Sequence, residues 1–316
     1  MPFSHDLLAA ALQPHLPGAD SFAFEPIRTG KFNTSFFVST GDGEYVVRIA
    51  PPRDAVFLFY ERDMMRQEPD IHSLLRTQTT VPVAEIVAYD DTLSILPRDF
   101  LLMERLPGRP WTDAPHVNGN RVLRRVGEYL AQTHRLTAET YGYIGAHHPM
   151  EPQSNWQDAF TIMWHMMIDD IVGVDGYTAE EADAMRALYD SRRDLFGHPV
   201  ESRLLHMDIW HQNIMVNDTG TVTGVIDWDR ALWGDPEIEF AVLDYCGISE
   251  PAFWEGYGQA RDQSRAAQIR QVFYLLYEVQ KYIVIRIGRS NDRPGAQQFR
   301  SYALQLAEAL RREVRT

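Results

Sequence analysis

The sequence predicts an α+β fold of two lobes, a small antiparallel-sheet lobe followed by a larger, mainly helical lobe. Strand-like runs separated by short turns fill the first third of the chain. Apolar stripes of helical period dominate the remainder. The segment "PGRP", residues 107 to 110, lies between the two regions and is typical of a hinge. We therefore expect an N-terminal lobe over residues 1–106 and a C-terminal lobe over residues 107–316.

The N-terminal lobe should begin with a short helix over residues 4–13, for which Ser4 is the N-cap. Alternating apolar runs around a "GDG" turn predict an antiparallel meander. A helix over 55–76 and two further strands complete the lobe. The predicted strands cover residues 21–28, 29–40, 44–52, 81–91 and 99–106.

The C-terminal lobe should combine several helices with a few short central strands. "TAEE", residues 178 to 181, is a capping box that opens one of the helices. The other predicted helices cover residues 120–136, 154–172, 236–246, 264–289 and 297–312. A cleft between two such lobes would suit a small ligand.

Composition excludes several classes of function. The 316 residues are 45% hydrophobic and carry a net charge of −14. This charge would repel phosphate backbones, so we expect no nucleic-acid partner, although it would attract a cationic small molecule. The single cysteine excludes an intramolecular disulfide, and no apolar run approaches the ~18 residues of a membrane span. The start does not resemble a signal peptide, so we expect a cytoplasmic protein, monomeric or dimeric, without a membrane partner.

Three oxygen-bearing side chains carry the strongest chemical signal. Asp208 and Asn213 share one loop, and Asp227 ends the strand after next. A hairpin turning at residues 217–220 would bring Asn213 and Asp227 together, because the start of one antiparallel strand lies beside the end of the other. Such oxygens suit Mg²⁺, and a separate Asp could accept a proton from an attacking hydroxyl. The pattern therefore predicts phosphoryl transfer.

Two motifs resemble those of the aminoglycoside phosphotransferase family, the small-molecule relatives of protein kinases that include choline kinases. "HMDIWHQN" is similar to the family's catalytic loop H-G-D-x-x-x-x-N, and "VIDWDRALWGDP" to its metal-binding strand. The resemblance covers residues 20–245 and implies a protein-kinase-like fold. It also implies that residues 1–106 bind the nucleotide and that residues 107–316 carry the catalytic groups and bind the acceptor.

The same resemblance assigns roles to individual residues of these motifs. It implies that Asp208 is the catalytic base and that Asn213 and Asp227 are the Mg²⁺ ligands. His206 would brace the catalytic loop. Met207 departs from the family, which has Gly at this position. A second supporting residue is Asp235, for which we expect a structural role as a helix cap before Pro236.

The resemblance extends to the nucleotide site. "RTGKFNTSFFV", residues 28 to 38, is similar to the loop over the nucleotide phosphates, with Gly30, Asn33 and Ser35 as contacts. Lys31, in the same loop, could approach the phosphates or be an exposed lysine. Residues 100–108 resemble the strand that leads to the adenine-contacting linker. The linker residues that would contact the base are Met103, Glu104 and Leu106.

Arg48 stands where protein kinases place a phosphate-contacting lysine. Its predicted partner is Glu68, with Glu61 as the alternative, because Pro69 is unusual inside a helix and would have to mark its first turn. We also expect Asp229 to meet a cationic acceptor or to cap and solvate its own segment.

We therefore predict an ATP- or GTP-dependent phosphotransferase that uses Mg²⁺ and phosphorylates a hydroxyl of a small molecule. The resemblance points to an aminoglycoside or another antibiotic, and hence to a resistance enzyme. One alternative is a metabolic kinase for a sugar, amino alcohol or choline-like compound. Another is a nucleotide-binding pseudokinase, favoured by Met207 and Arg48. The helical face that carries Tyr274, Tyr277, Glu278 and Tyr282 is a candidate for acceptor binding, and Glu239 for meeting a cation or capping.

Overall fold

The computed structural model describes residues 3–30 and 32–312, so Lys31 lies outside the described residues. The first part of the chain forms a five-stranded antiparallel sheet in the order β1-β2-β3-β5-β4. Its elements are α1 (His5–Leu12), β1 (Ala23–Ile27), β2 (Thr34–Ser39), β3 (Glu44–Ile49), α2 (Glu68–Gln78), β4 (Ile86–Asp90) and β5 (Phe100–Glu104). The predicted meander is present, and Ser4 caps α1 by accepting from the N–H of Leu7.

One predicted element is wrong. The sequence indicated a helix over residues 55–76, but α2 begins only at Glu68, after a single 3-10 turn, with Pro69 in its first turn. Residues 51–63 instead form an irregular segment, which we call the strap. Two of its side chains, Leu58 and Tyr60, are buried among the C-terminal helices, and Asp63 has a left-handed φ of 58°. A continuous helix cannot satisfy both conditions.

The strap is also bonded to the C-terminal helices through its backbone. The N–H of Phe59 donates to Asp170 Oδ2 at 2.7 Å, and the carbonyl of Val56 accepts from Arg289 Nε at 3.1 Å. This segment of the N-terminal half therefore packs as part of the C-terminal core.

The rest of the chain is mainly helical and contains two small antiparallel sheets, ordered β10-β9-β6 and β11-β8-β7. Its elements are β6 (Arg109–Pro110), α3 (Gly119–Thr133), β7 (Thr137–Ala138), α4 (Trp156–Gly173), α5 (Ala179–Asp190), β8 (Ser202–Leu205), β9 (Ile214–Val216), β10 (Val222–Val225), β11 (Leu232–Gly234), α6 (Pro236–Tyr245), α7 (Pro251–Tyr257), α8 (Arg265–Gly288) and α9 (Arg293–Arg312). The predicted capping box of α5 is present. The predicted α+β architecture is confirmed.

The short helix α7 was not predicted, and it packs on α3 through two glycines. A Cβ at Gly256 would lie 1.9 Å from the carbonyl oxygen of Arg124, and one at Gly127 would lie 2.2 Å from that of Phe253. Only glycine permits backbones to approach this closely. Within the described residues, no helix is long and apolar enough to cross a membrane.

Candidate active site

The hairpin of β9 and β10 brings two of the predicted residues to one end. The strands are antiparallel, with Ile214 opposite Val225. Beyond that pair, the N–H of Ile226 donates to the carbonyl of Asn213 at 3.0 Å. Asp227 follows directly, so it emerges beside Asn213 as the sequence predicts.

Asp208 lies against Asn213. The side-chain Nδ2 of Asn213 donates to both the carboxylate and the carbonyl of Asp208, each at 2.9 Å. Because the amide nitrogen faces Asp208, its Oδ1 is the atom left to bind a cation. Asn213 is buried, whereas the Asp208 side chain is 31% exposed and can be reached by a substrate.

His206 joins the loop to the strand that carries Asp227. Its Nδ1 accepts from the N–H of Asp208 at 3.2 Å, and its Nε2 lies 2.9 Å from the carbonyl of Ile226. These partners require the proton on Nε2. The buried ring also packs on Trp228, with centroids 4.3 Å apart. These contacts hold the backbone at Asp208 in place.

Glu239, on α6, holds the other side of the loop. Its Oε1 accepts from the N–H groups of His206 and Met207 at 3.0 and 2.7 Å, and its Oε2 lies 2.7 Å from His134 Nε2. The side chain is fully buried. The expectation that Glu239 meets a cation or caps its helix is therefore wrong, because the carboxylate binds the loop backbone.

Met207 adopts the backbone conformation that explains the glycine of the family motif. Its φ of 66° lies in the left-handed region, and its side chain is fully buried in the core. The N–H is bonded to Glu239, and the carbonyl accepts from Arg230 Nη1 at 2.7 Å. The left-handed turn is thus retained here without glycine, at a cost in backbone strain.

Arg48 is the centre of a buried cluster of carboxylates. Its Nη1 donates to both oxygens of Glu68, at 2.8 and 2.7 Å, and its Nη2 donates to Asp227 and Asp229, each at 2.7 Å. The predicted contact between Arg48 and Glu68 is present, whereas Glu61 bonds to the N–H of Leu58 in the strap and to Arg289, just after α8. We did not predict from the sequence that Asp229 joins this cluster. The available signal was its position two residues after Asp227.

The electrostatics of this cluster favour an additional cation. Burial would lower the pKa of Arg48, but the three carboxylates outweigh it and raise the pKa above its usual value. Burial raises the pKa of Glu68 to about 7, against the opposing effect of Arg48. Burial and the neighbouring Asp227 raise the pKa of Asp229 well above its usual value. One guanidinium therefore does not fully compensate three carboxylates.

The donor atoms at this end of the cleft fit a magnesium ion. Asp227 and Asn213 offer a carboxylate and an amide oxygen, the hard ligands that Mg²⁺ prefers. The Asp227 side chain is 38% exposed, which leaves it accessible to a hydrated ion. A divalent charge would also relieve the repulsion among the carboxylates around Arg48.

The predicted phosphate loop lies next to this cluster. Ser35 on β2 is paired with Arg48 on β3, so their side chains share one face of the sheet. Gly30 is exposed in the loop between β1 and β2. A pocket opens beside the loop and is lined in part by Asn33 and Asp229.

The predicted linker to the base leaves the sheet at the end of β5. Met103 is paired with Val46 in the sheet and is buried. The N–H groups of Glu104 and Arg105 are bonded to carbonyls of neighbouring segments at 2.9 and 3.0 Å, so neither is free to donate to a base. The backbone N–H groups expected to donate to the base are therefore those after Arg105, including that of Leu106.

Asp235 has the structural role that the sequence predicted. Its Oδ1 accepts from the N–H of Glu237 and caps α6, and its Oδ2 accepts from Tyr274 at 2.8 Å. His198, Asp235 and Glu237 form the one group with metal-ligand spacing found among the described His, Cys, Asp and Glu residues. Because Arg270 binds both oxygens of Glu237, this group stabilises the fold.

The helical face expected to bind the acceptor is largely core. Tyr274, Tyr277 and Glu278 are buried, and only Tyr282 is partly exposed. The neighbouring Lys281, which was not among the predicted site residues, places its Nζ 3.9 Å from Asp208 Oδ1. The signal in the sequence was that Lys281 is one of only two lysines in the chain.

Comparison with known proteins gives a match to a family of phosphotransferases and to a probable kinase. The model of the phosphotransferase enzyme family (APH) matches residues 23–271. A probable ketoamine kinase of Vibrio parahaemolyticus is 26% identical over 262 residues, which cover 79% of this chain and 82% of that protein.

Two solved structures share the fold. A putative fructosamine-3-kinase from Thermobifida fusca has a TM-score of 0.68 and 21% identity, covering 96% of this chain and 98% of that one. A thermostable mutant of aminoglycoside phosphotransferase APH(4)-Ia, in ternary complex with AMP-PNP and hygromycin B, has a TM-score of 0.64 and 18% identity, covering 94% of this chain and 99% of that one. These likenesses confirm the protein-kinase-like fold.

Proposed function

Since this chain belongs to the phosphotransferase enzyme family and is a kinase of small-molecule hydroxyl groups, we propose that it transfers the terminal phosphate of ATP to a ketoamine. The observation that carries the proposal is the grouping of Asp208, Asn213 and Asp227 at one end of the β9–β10 hairpin. The same end lies against the Arg48 cluster below the predicted phosphate loop. This arrangement supports phosphoryl transfer.

In this proposal Asp208 is the catalytic base. Its exposed carboxylate orients the acceptor hydroxyl and takes its proton, while Asn213 and the braces from His206 hold the carboxylate in position. Asn213 and Asp227 would hold Mg²⁺, which supplies charge neutralisation at the phosphate oxygens when bound. Arg48 holds Asp227 in place through its Nη2.

We further propose that residues 1–106 bind the nucleotide and that residues 107–316 carry the catalytic groups and bind the acceptor. Gly30, Asn33 and Ser35 would cradle the phosphates. The base would lie against Met103 and the linker at Glu104 and Leu106. Glu68 contributes by fixing the guanidinium of Arg48.

Two observations bear on the acceptor. Several curated relatives at 25–26% identity are probable ketoamine kinases, whose name describes a ketone that carries an amine. The net charge of −14 favours such a cationic acceptor. The second candidate is an aminoglycoside, which is also cationic and which is supported by the fold shared with the hygromycin B complex.

The experiment is a phosphate-transfer assay with Mg²⁺ and either ATP or GTP. Fructosyl-lysine represents the ketoamines, hygromycin B the aminoglycosides, and fructose and choline the metabolic alternatives. We expect the highest kcat/KM with fructosyl-lysine and ATP. Preferential turnover of hygromycin B would move the assignment to the second candidate.

Asp208→Asn is the control variant. It keeps the size of the side chain but removes the base, so turnover should fall by ~10²–10⁴-fold while nucleotide binding is retained. Unchanged turnover in this variant would refute the role of Asp208. A wild-type protein that binds no Mg²⁺–nucleotide would refute the proposed function as a whole.

A further inference from the structure

Lys281 is a buried lysine beside the proposed base. It lies on α8, its side chain is 6% exposed, and its Nζ is 3.9 Å from Asp208 Oδ1. Burying an ammonium costs free energy unless charged partners compensate it. Its charged partners are Glu278 and, at the longer distance, Asp208.

The ammonium is anchored in the network that holds the catalytic loop. Glu278, one turn earlier on α8, places Oε1 2.5 Å from Nζ. The other oxygen of Glu278 accepts from Arg230 at 2.9 Å, and Arg230 donates to the carbonyl of Met207. Lys281 and the loop that carries Asp208 are thus fixed relative to each other.

Most N–H donors of Lys281 are not used by these carboxylates. An ammonium has three donors, Glu278 Oε1 at 2.5 Å takes one, and 3.9 Å to Asp208 is too long for a hydrogen bond. The ring centroid of Tyr282 lies 4.9 Å from Nζ. The remaining two donors are therefore available to a ligand oxygen next to Asp208.

Most N–H donors of Arg48, in contrast, are already used. It occupies the position assigned to phosphate contact, but four of its N–H groups donate to Glu68, Asp227 and Asp229. An arginine has five such donors. Positive charge with free donors is therefore found at Lys281, beside Asp208, where the acceptor hydroxyl must meet the phosphate in the proposed reaction.

We propose that the Lys281 ammonium binds a peripheral oxygen of the terminal phosphate during its transfer, an inference that rests on the proposed kinase function. The acceptor oxygen forms a bond to the terminal phosphorus, and its proton passes to the Asp208 carboxylate. The bond from that phosphorus to the bridging oxygen breaks, and the nucleoside diphosphate leaves with the electron pair. Lys281 takes no part in the proton transfer and stabilises the charge on the moving phosphoryl group.

The test compares Lys281→Met with wild type in turnover and in binding. We expect kcat to fall by about 100-fold, the cost of removing one preorganised donor, with KM for ATP within about twofold. The Kd of MgADP should be unchanged. The affinity for MgADP with aluminium fluoride, which mimics the transferring phosphoryl group, should fall by a factor similar to that of kcat. Arg286→Met, which removes an exposed charge from the same helix, is the matched control and should leave all four quantities unchanged.

A structural role would give a different pattern. If Lys281 only balances Glu278, the double variant Glu278→Gln/Lys281→Met should recover kcat, and such recovery would overturn the proposal. Wild-type kcat in Lys281→Met, or an equal loss of affinity for MgADP, would overturn it as well. We expect the double variant to recover thermal stability but not the affinity for the aluminium fluoride complex.

The remaining results are also decisive. Should Lys281→Met not fold, the double variant and Lys281→Arg provide the same comparison, with Lys281→Arg retaining part of the affinity for the aluminium fluoride complex. Failure of wild type to bind MgADP or to phosphorylate any acceptor would refute the proposed function. Active wild type with unaffected Lys281 variants would refute this inference alone.

Discussion

Met207 allows the energetic cost of the left-handed backbone next to Asp208 to be measured. Its φ of 66° is disfavoured for any side chain with a Cβ, by ~1–2 kcal/mol, whereas glycine adopts it freely. Its side chain is fully buried, so truncation to alanine should cost ~2–5 kcal/mol. Met207→Ala loses the packing and keeps the strain, whereas Met207→Gly loses the packing and relieves the strain.

The two variants should therefore rank in an unusual order. At an ordinary helical position glycine is less stable than alanine by ~0.5–1 kcal/mol because of its chain entropy. At Met207 the relief of strain exceeds that entropy, so Met207→Gly should be the more stable of the two by ~0.5–1 kcal/mol. We also expect Met207→Gly to keep kcat within a few-fold, because Glu239 and Arg230 bind backbone atoms of this residue.

Urea unfolding followed by circular dichroism measures the free energies of unfolding. Ala303→Gly, at a buried site in the middle of α9, is the matched control, and there glycine should be the less stable residue. If Met207→Ala proves as stable as Met207→Gly, the left-handed backbone is not strained and the reasoning fails.

Three further variants test the surroundings of the site and the fold. Glu239→Gln should lower kcat by at least about tenfold with little change in KM for ATP. The reason is that one charge-assisted hydrogen bond to the loop is weakened by ~1.5–3 kcal/mol. Steady-state kinetics measures both constants. Burial lowers the pKa of His72 to about 4. Below about pH 6.5 the unfolded chain therefore binds a proton on this histidine and the folded chain does not, so the free energy of unfolding falls as the pH drops from about 6.5 to about 4. His72→Asn keeps a donor for the carbonyl of Ala84 and should reduce that loss by up to about 3 kcal/mol, measured by urea unfolding across the pH range. Gly256→Ala should cost at least about 2 kcal/mol in thermal unfolding, since the added Cβ would meet the carbonyl of Arg124.

Each of these variants has a matched control in the chain. Glu180→Gln, in the first turn of α5, changes an exposed carboxylate and should leave kcat unaltered. His116→Asn changes an exposed histidine and should leave the slope of stability against pH unaltered. Gly173→Ala adds a Cβ with nothing within 4 Å of it and should not destabilise. A control that behaves like its test variant would contradict the corresponding explanation.

The hairpin that carries Asn213 and Asp227 could be predicted because all of its determinants are local. Fewer than twenty residues separate Asp208 from Asp227 in the sequence, and antiparallel pairing alone brings the ends of the strands together. The contact of Arg48 with Glu68 was predictable for a different reason, since a motif pattern assigned both positions.

Glu239 and Lys281 could not be found in this way. Each contacts the loop of residues 206–213 only because its helix packs against that loop, and Lys281 is separated from Asp208 by more than seventy residues. No spacing rule links such positions. The predicted helix over residues 55–76 failed for a related reason, because burial of Leu58 and Tyr60 in a distant core outweighs the local preference for helix.

The strap has a consequence for how the molecule unfolds. Leu58 and Tyr60 belong by sequence to the sheet-containing half but fill the core formed by α4, α5, α8 and α9. Melting either half withdraws apolar side chains from the other, so the two halves share a common stability. Calorimetry should therefore record a single heat-absorption peak with equal calorimetric and van't Hoff enthalpies, where two loosely joined lobes would melt in two steps.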